Sequence, residues 1–342
     1  MRRGKKHFRF SAEVKGRFRI DLTGYGKSTL QTVCSAWWLS LITPAFLFSA
    51  CSVAPLKEKH VVQIYIREAE KTTPHTLDLF FFEDGGMMKL DSYERIEKWD
   101  GLPLNGTSGT GGRLLVAIAN YGEDRFSWSD ILSYEGLGVK TMELMEESPS
   151  HPVMSGETVT LAGRDRGCEI GLSPLLARIR VNSICADFHG RPYEGEALKD
   201  VRVFLMNVHD RCKILSRESE PSWANYRERV YEDSLIYCES GISVDVSVVF
   251  PKVVLYCYPN EITEETPENP FTRLVIEGTI EGETYYYPIN IPNLEGGKEY
   301  AYNITITRKG TSDPDTSANV GMVRFNQNVL PWNDTDEKIE RF

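Results

Sequence analysis

Residues 272–291 read TRLVIEGTIEGETYYYPINI. Two runs rich in β-branched and aromatic residues, 272–280 and 284–291, flank Glu281-Gly282-Glu283. Such runs fit a pleated, half-buried surface, and a glycine-bearing break of this length turns a chain back on itself. The spacing predicts a β-hairpin. In a strand, Tyr285 and Tyr287 share one face and Tyr286 takes the other. The three tyrosines are therefore expected to pack in the core and on the sheet surface rather than form a sugar-stacking platform.

The same period of two extends in both directions. Downstream, residues 301–307 alternate again and residues 323–329 form a last short strand, with Trp332 expected to anchor it. Upstream, residues 242–250 alternate Ile242, Val244, Val246 and Val248 with Ser243, Asp245 and Ser247, and residues 170–181 and 201–208 read as further strands. Nearer the start, Val62, Ile64 and Ile66 alternate with Gln63, Tyr65 and Arg67. Leu77, Leu79 and Phe81 alternate with Asp78, Phe80 and Phe82, followed by turn residues at 83–86. The apolar run 113–119 fits a strand buried on both faces. Residues 127–145 are the best helical stretch, with Trp128, Ile131, Leu132 and Tyr134 near one face. Many short strands and few helices predict an all-β sandwich architecture. No self-similarity at a period of 20–50 residues is visible, which disfavours a solenoid or propeller. His151-Pro152 and the glycines of 163–167 bracket the expected division into domains, 51–163 and 164–342. The acidic, proline-bearing stretch 261–270 reads as an exposed loop.

The first 50 residues differ from the rest. Arg2, Arg3, Lys5, Lys6, Arg9, Lys15, Arg17, Arg19 and Lys27 are basic, and only Glu13 and Asp21 are acidic. An apolar run from residue 36 to residue 50 follows and ends on small residues. That order is a signal peptide covering 1–50, too short to span a bilayer comfortably, with cleavage expected after Ala50. Setting those residues aside leaves 30 Lys+Arg against 47 Asp+Glu, a net charge of −17. Such a field repels phosphate backbones and argues against a nucleic-acid partner.

Cys51 directly follows Ser49-Ala50. Small residues before a cysteine at the end of an export signal resemble the lipobox of bacterial lipoproteins, although Phe48 stands where leucine is usual. The resemblance implies diacylation of Cys51 and attachment to a membrane, each buried methylene adding about 0.8 kcal/mol. Cys168, Cys185, Cys212, Cys238 and Cys257 are odd in number and lack any CxxC spacing. They are expected to be mostly free, with one disulfide possible. His209 and Cys212 form an isolated HxxC pair, two ligands short of a zinc site.

Catalytic signatures are missing from the sequence. The glycine-rich stretch 105–112 is followed by Arg113 and a strand rather than by the Gly-Lys-Ser/Thr that a P-loop needs. There is no GxSxG elbow and no HExxH, and the histidines are scattered. No catalytic residue, metal site or cofactor is expected, and the chain reads as a non-enzyme.

The C-terminal third carries a family resemblance. It runs Leu274-Val275-Ile276-Glu277-Gly278, Tyr285-Tyr286-Tyr287-Pro288-Ile289, Lys298-Glu299-Tyr300-Ala301-Tyr302-Asn303-Ile304-Thr305-Ile306, Gly310-Thr311-Ser312-Asp313-Pro314 and Val329-Leu330-Pro331-Trp332. Val153-Met154-Ser155-Gly156 and Leu176-Ala177-Arg178-Ile179-Arg180-Val181 precede it. In this order the chain resembles the fimbrillin superfamily of Bacteroidales, which includes the lipoprotein anchors of major and minor fimbriae. The resemblance implies two transthyretin-like β-sandwich domains in tandem after a signal peptide. It also implies an outer-membrane lipoprotein at the cell surface that joins other fimbrial subunits by strand exchange. In pilins of that family an Arg-directed protease removes an N-terminal strand. Here the first arginine after Cys51 is Arg67, inside a predicted strand, and only Lys57 and Lys59 precede it as basic residues. That favours an anchor or accessory subunit over a stalk subunit. A surface lipoprotein adhesin or glycan-binding protein of the same fold is the alternative.

Overall fold

The computed structural model describes residues 60–67, 75–108, 113–122, 128–160, 167–226 and 233–332. Ala50, Cys51, Lys57 and Lys59 lie outside them.

The hairpin that opened the sequence reading is present. Its arms, Thr272–Ile280 and Glu283–Ile291, pair antiparallel with Ile280 opposite Glu283. The two-residue loop has φ of 53° at Glu281 and 84° at Gly282. Positive φ at both positions gives the loop the twist that adjacent strands require, and glycine reaches it without a Cβ penalty.

Around this hairpin the described residues form four larger sheets, packed in two pairs, and two short two-stranded sheets. In the first half the strands are β1 (His60–Arg67), β2 (Leu77–Glu83), β3 (Leu90–Ile96), β4 (Leu104–Ser108), β5 (Arg113–Ala119), β6 (Thr141–Glu143), β7 (Met154–Thr160), β8 (Gly167–Gly171) and β9 (Ser173–Pro174). The second half holds β10 (Ala177–Ala186), β11 (Leu198–Met206), β12 (Val208–His209), β13 (Arg211–Lys213), β14 (Trp223–Asn225), β15 (Tyr237–Val244) and β16 (Val253–Cys257). It ends with β17 (Thr272–Ile280), β18 (Glu283–Ile291), β19 (Lys298–Ile306) and β20 (Val323–Pro331).

A three-stranded sheet, β4-β1-β8, faces a five-stranded sheet, β3-β2-β5-β7-β9. Between them lie Ile64, Leu79, Phe81, Leu115, Ala117 and Ile170. The opposite face of the five-stranded sheet is buried as well. There Phe80, Phe82, Val116 and Ile118 join a core that continues through Trp128, Ile131 and Leu137 into the second half. A strand with both faces covered has no polar side to alternate, which is why 113–119 reads as an unbroken apolar run.

In the second half, β16-β10-β19-β20 packs on β15-β11-β17-β18. Ile179, Val181, Leu255, Tyr300 and Tyr302 meet Val203, Leu205, Leu274, Ile276 and Tyr287 in one core. Tyr285 packs against that core, whereas Tyr286 lies against Phe204, Met206 and Val275 on the outer face. A bulge between Val181 and Ser183 shifts the inward set of β10 from odd to even residues, so that Ile184 and Ala186 stay buried.

Three readings of the sequence need correction. Within 127–145 only α1 (Tyr134–Gly138) is α-helical among the described residues, capped by Ser133, whose Oγ accepts from the Gly136 amide at 3.2 Å. Gly136 and Gly138 weaken any longer helix, and Trp128, Ile131 and Leu137 are spread over the sheet face instead. Residues 170–181 are not one strand. β8 pairs parallel with β1, β9 pairs antiparallel with β7, and only β10 belongs to the second pair of sheets. Pro174 lacks the amide a continuous strand would use, and Leu175 and Leu176 are buried where the chain crosses over. Finally, β15 stops at Val244. The Asp245 carboxylate accepts from the Ser247 amide at 2.7 Å in a local turn, leaving Val246, Val248 and Phe250 exposed at 75%, 56% and 70%.

Candidate assembly interface

Two strands, one near each end of the described residues, differ in how they are held. β1 lies in the middle of its sheet, antiparallel to β4 from His60↔Ser108 to Ile64↔Leu104 and parallel to β8 from Gln63↔Gly167 to Arg67↔Gly171. Ile64 is its buried anchor. The partner strand β4 comes close at Gly106, where a Cβ would collide with the Phe81 ring and Ile64. Gln63, Tyr65 and Arg67 face outward. Arg67 is the last residue of β1, its Nε 3.5 Å from Glu169, and its carbonyl accepts from the Leu172 amide at 3.0 Å. Its position inside a strand is as the sequence pattern predicts.

β20 is held differently. It pairs along its whole length with β19, from Val323↔Ile306 to Pro331↔Lys298, and forms the edge of its sheet. Only Val323 is buried. Residues pointing to both sides, including Phe325, Asn326, Val329 and Leu330, are exposed. Among the described residues nearly all its attachment is therefore backbone pairing to one neighbour, and no described strand pairs with its outer edge.

The end of β20 is pinned by a side-chain cluster. Trp332 is buried, its amide donating to Gly297 O at 3.2 Å. The Arg178 guanidinium lies 5.1 Å from the Trp332 ring centroid and donates from Nη2 to Trp332 O at 3.1 Å. Tyr256 flanks the same ring at 5.7 Å. Behind it, the buried Glu299 pairs with Arg178 and, at 3.1 Å, with Arg180. Adjacent antiparallel and parallel ladders bring these residues from β10, β16 and β19 to one end of the sheet. The sequence reading placed Trp332 as the anchor but not its partners. Arginines at positions 178 and 180 of an otherwise apolar strand were the available signal.

Elsewhere, Cys185, Cys212, Cys238 and Cys257 are free. Burial pushes the Cys212 thiol up to about 12, which makes it inert at neutral pH. Among the described residues no His, Cys, Asp or Glu cluster could hold a metal, and no helix is long and apolar enough to cross a membrane.

No protein-family model matches the chain, and no curated protein sequence matches it. Solved structures do. A protein of Bacteroides eggerthii assigned to cell adhesion superposes with a TM-score of 0.63 at 16% identity, over 81% of this chain and 97% of that one. The fimbrillin FimA of Porphyromonas gingivalis gives a TM-score of 0.57 at 14% identity, over 80% and 97%. This chain has the fimbrillin fold. The tip fimbrial protein Mfa3 of Porphyromonas gingivalis, solved with a C-terminal truncation, shares it with a TM-score of 0.51 at 15% identity, over 80% and 100%. The fimbrillin fold thus spans nearly the full length of each of these structures, although few side chains are kept.

Proposed function

We propose that the protein is a fimbrial subunit of the anchor or accessory kind, held in the outer membrane by acyl chains on Cys51 and joined to neighbouring subunits by strand complementation. The observation that carries this reading is the pair of terminal strands set in a fimbrillin fold. β20 is an edge strand exposed on both faces, and β1 fills the middle of a sheet from near the start of the described chain. Both suit β-augmentation, in which backbone hydrogen bonds supply affinity and alternate side chains supply register. Such a role is structural rather than enzymatic. Signal removal after Ala50 would make Cys51 the mature N-terminus, and lipid there would keep one end of the molecule at the bilayer while its strands meet the fibre.

The lipid claim is tested by the intact mass of the envelope-extracted protein together with the Cys51→Ala variant. A mass beginning at an acylated Cys51, and release of the variant from the membrane fraction, are expected. A mature N-terminus well beyond residue 51, or unchanged retention of the variant, would contradict it.

A further inference from the structure

Arg217 occupies the left-handed region at φ 57°, with its amide donating to Lys213 O at 3.0 Å. A non-glycine residue there carries strain of roughly 1 kcal/mol or more, so the surroundings must hold it. Its guanidinium Nη2 donates to Ser155 O at 2.9 Å, and its Nε is buried without a partner. Among the described residues no carboxylate lies within ion-pair distance. Other guanidinia drawn into the fold are compensated: Arg95 by Asp78, Arg180 by Glu299, Arg202 by Glu277, and Arg273 by Glu265 and Asp315. Burial draws the Arg217 guanidinium below its ordinary value, yet arginine stays charged. It is a half-buried cation that Glu157 and Glu261 reach only at longer range, without a direct ion pair among the described residues.

That cation lines a cleft of about 350 Å³. Across from it the loop after β16 contributes Pro259, Ile262, Glu261 and Asn269. Neither the Glu261 carboxylate nor the Asn269 side-chain carboxamide is hydrogen-bonded to another described side chain, although the Asn269 backbone amide donates to the Thr266 hydroxyl at 3.1 Å. Glu218, also on the rim, is neutralised by Lys213 at 3.3 Å. We propose that this cleft binds a monosaccharide-sized sugar acid. Its carboxylate would pair with Arg217, its hydroxyls with Glu261 and Asn269, and its aliphatic ring face with Pro259 and Ile262. The size lies at the small end of ligand sites. A guanidinium matches a carboxylate through paired hydrogen bonds. Glu261 repels a doubly charged phosphate but accepts from sugar hydroxyls, which selects a singly charged, hydroxylated ligand. Arg217 also ties the turn before it to β7 through Ser155, and that tie alone would account for its position if no ligand binds.

The full chain titrated with glucuronate, followed by NMR shifts or calorimetry, separates the two cases, with glucose and inorganic phosphate as controls. Saturable glucuronate binding is expected, with glucose at least about tenfold weaker for want of one charge-assisted pair and phosphate at least about tenfold weaker through repulsion by Glu261. Asn269→Ala, on the exposed loop, is expected to weaken glucuronate several-fold at unchanged Tm, and Arg217→Gln to abolish binding. No saturation by about 20 mM glucuronate, equal binding of glucose or of phosphate, or unchanged binding by Asn269→Ala would overturn the proposal. The Asn269 variant decides the matter if Arg217→Gln fails to fold.

Discussion

Glu147 shows how a single residue sets a pH dependence. Burial pushes its carboxyl up to about 8, opposed by the Val153 amide on Oε2 at 3.0 Å and the Tyr258 hydroxyl on Oε1 at 3.3 Å. Among the described residues no cation pairs with it. Its ordinary value is 4.5, so between about 4.5 and 8 the folded carboxyl keeps a proton that the unfolded chain releases. Its stabilising contribution is complete below about 4.5 and is lost as pH rises to about 8, at up to about 1.4 kcal/mol per pH unit. Glu147→Gln is expected to flatten that slope and to be the more stable form at pH 8.5, as read by denaturant unfolding across pH. A slope unchanged by the substitution would contradict this. At Trp332, replacement by alanine removes a fully buried ring and is expected to cost about 3–5 kcal/mol in the same assay. The tryptophan was legible as an anchor because it closes the last predicted strand. Glu147 was not, because sequence pattern reports which face a residue takes in a strand and says little about a glutamate in a connecting loop.

Elements differ in how far their pattern could be read. The hairpin of β17 and β18 was legible to its turn, since alternation and glycine agree. The residues before β10 were misread as one strand because each short piece is apolar, and only pairing partners reveal that the chain changes sheet twice. Beyond Val244 the alternation of valines persists, but the local Asp245 turn interrupts the ladder and only an isolated bridge, Val249 to Ile184, ties the segment to β10. β20 and β1 make opposite demands on substitution. Val329 on β20 is exposed, so Val329→Lys is expected to shift folding stability by less than about 0.5 kcal/mol while lowering incorporation into fimbriae. Equal incorporation of the variant would remove β20 from the interface. Ile64→Ala on β1 is expected to cost about 2–5 kcal/mol, because the Ile64 side chain fills the core between the two sheets.

For the whole molecule, the described residues form one continuous architecture. The main core reaches from Phe80 in the first half to Tyr302 in the second, and the seam between the sheet pairs lies at Leu175 and Leu176. Apolar contacts therefore run without a break between the two pairs of sheets. The all-β class was legible because short alternating strands dominate the sequence. The exposure of β20 was not, since an edge position depends on which strands pair. The most direct test of a membrane-held fimbrial subunit is its distribution after fimbriae are sheared from cells and the envelope is fractionated. The protein is expected in the outer-membrane fraction and bound to the fimbriae retained there, while the subunit is depleted from long sheared fibres. Recovery only in the culture fluid, or an outer-membrane pool that never co-isolates with fimbriae, would contradict the proposal.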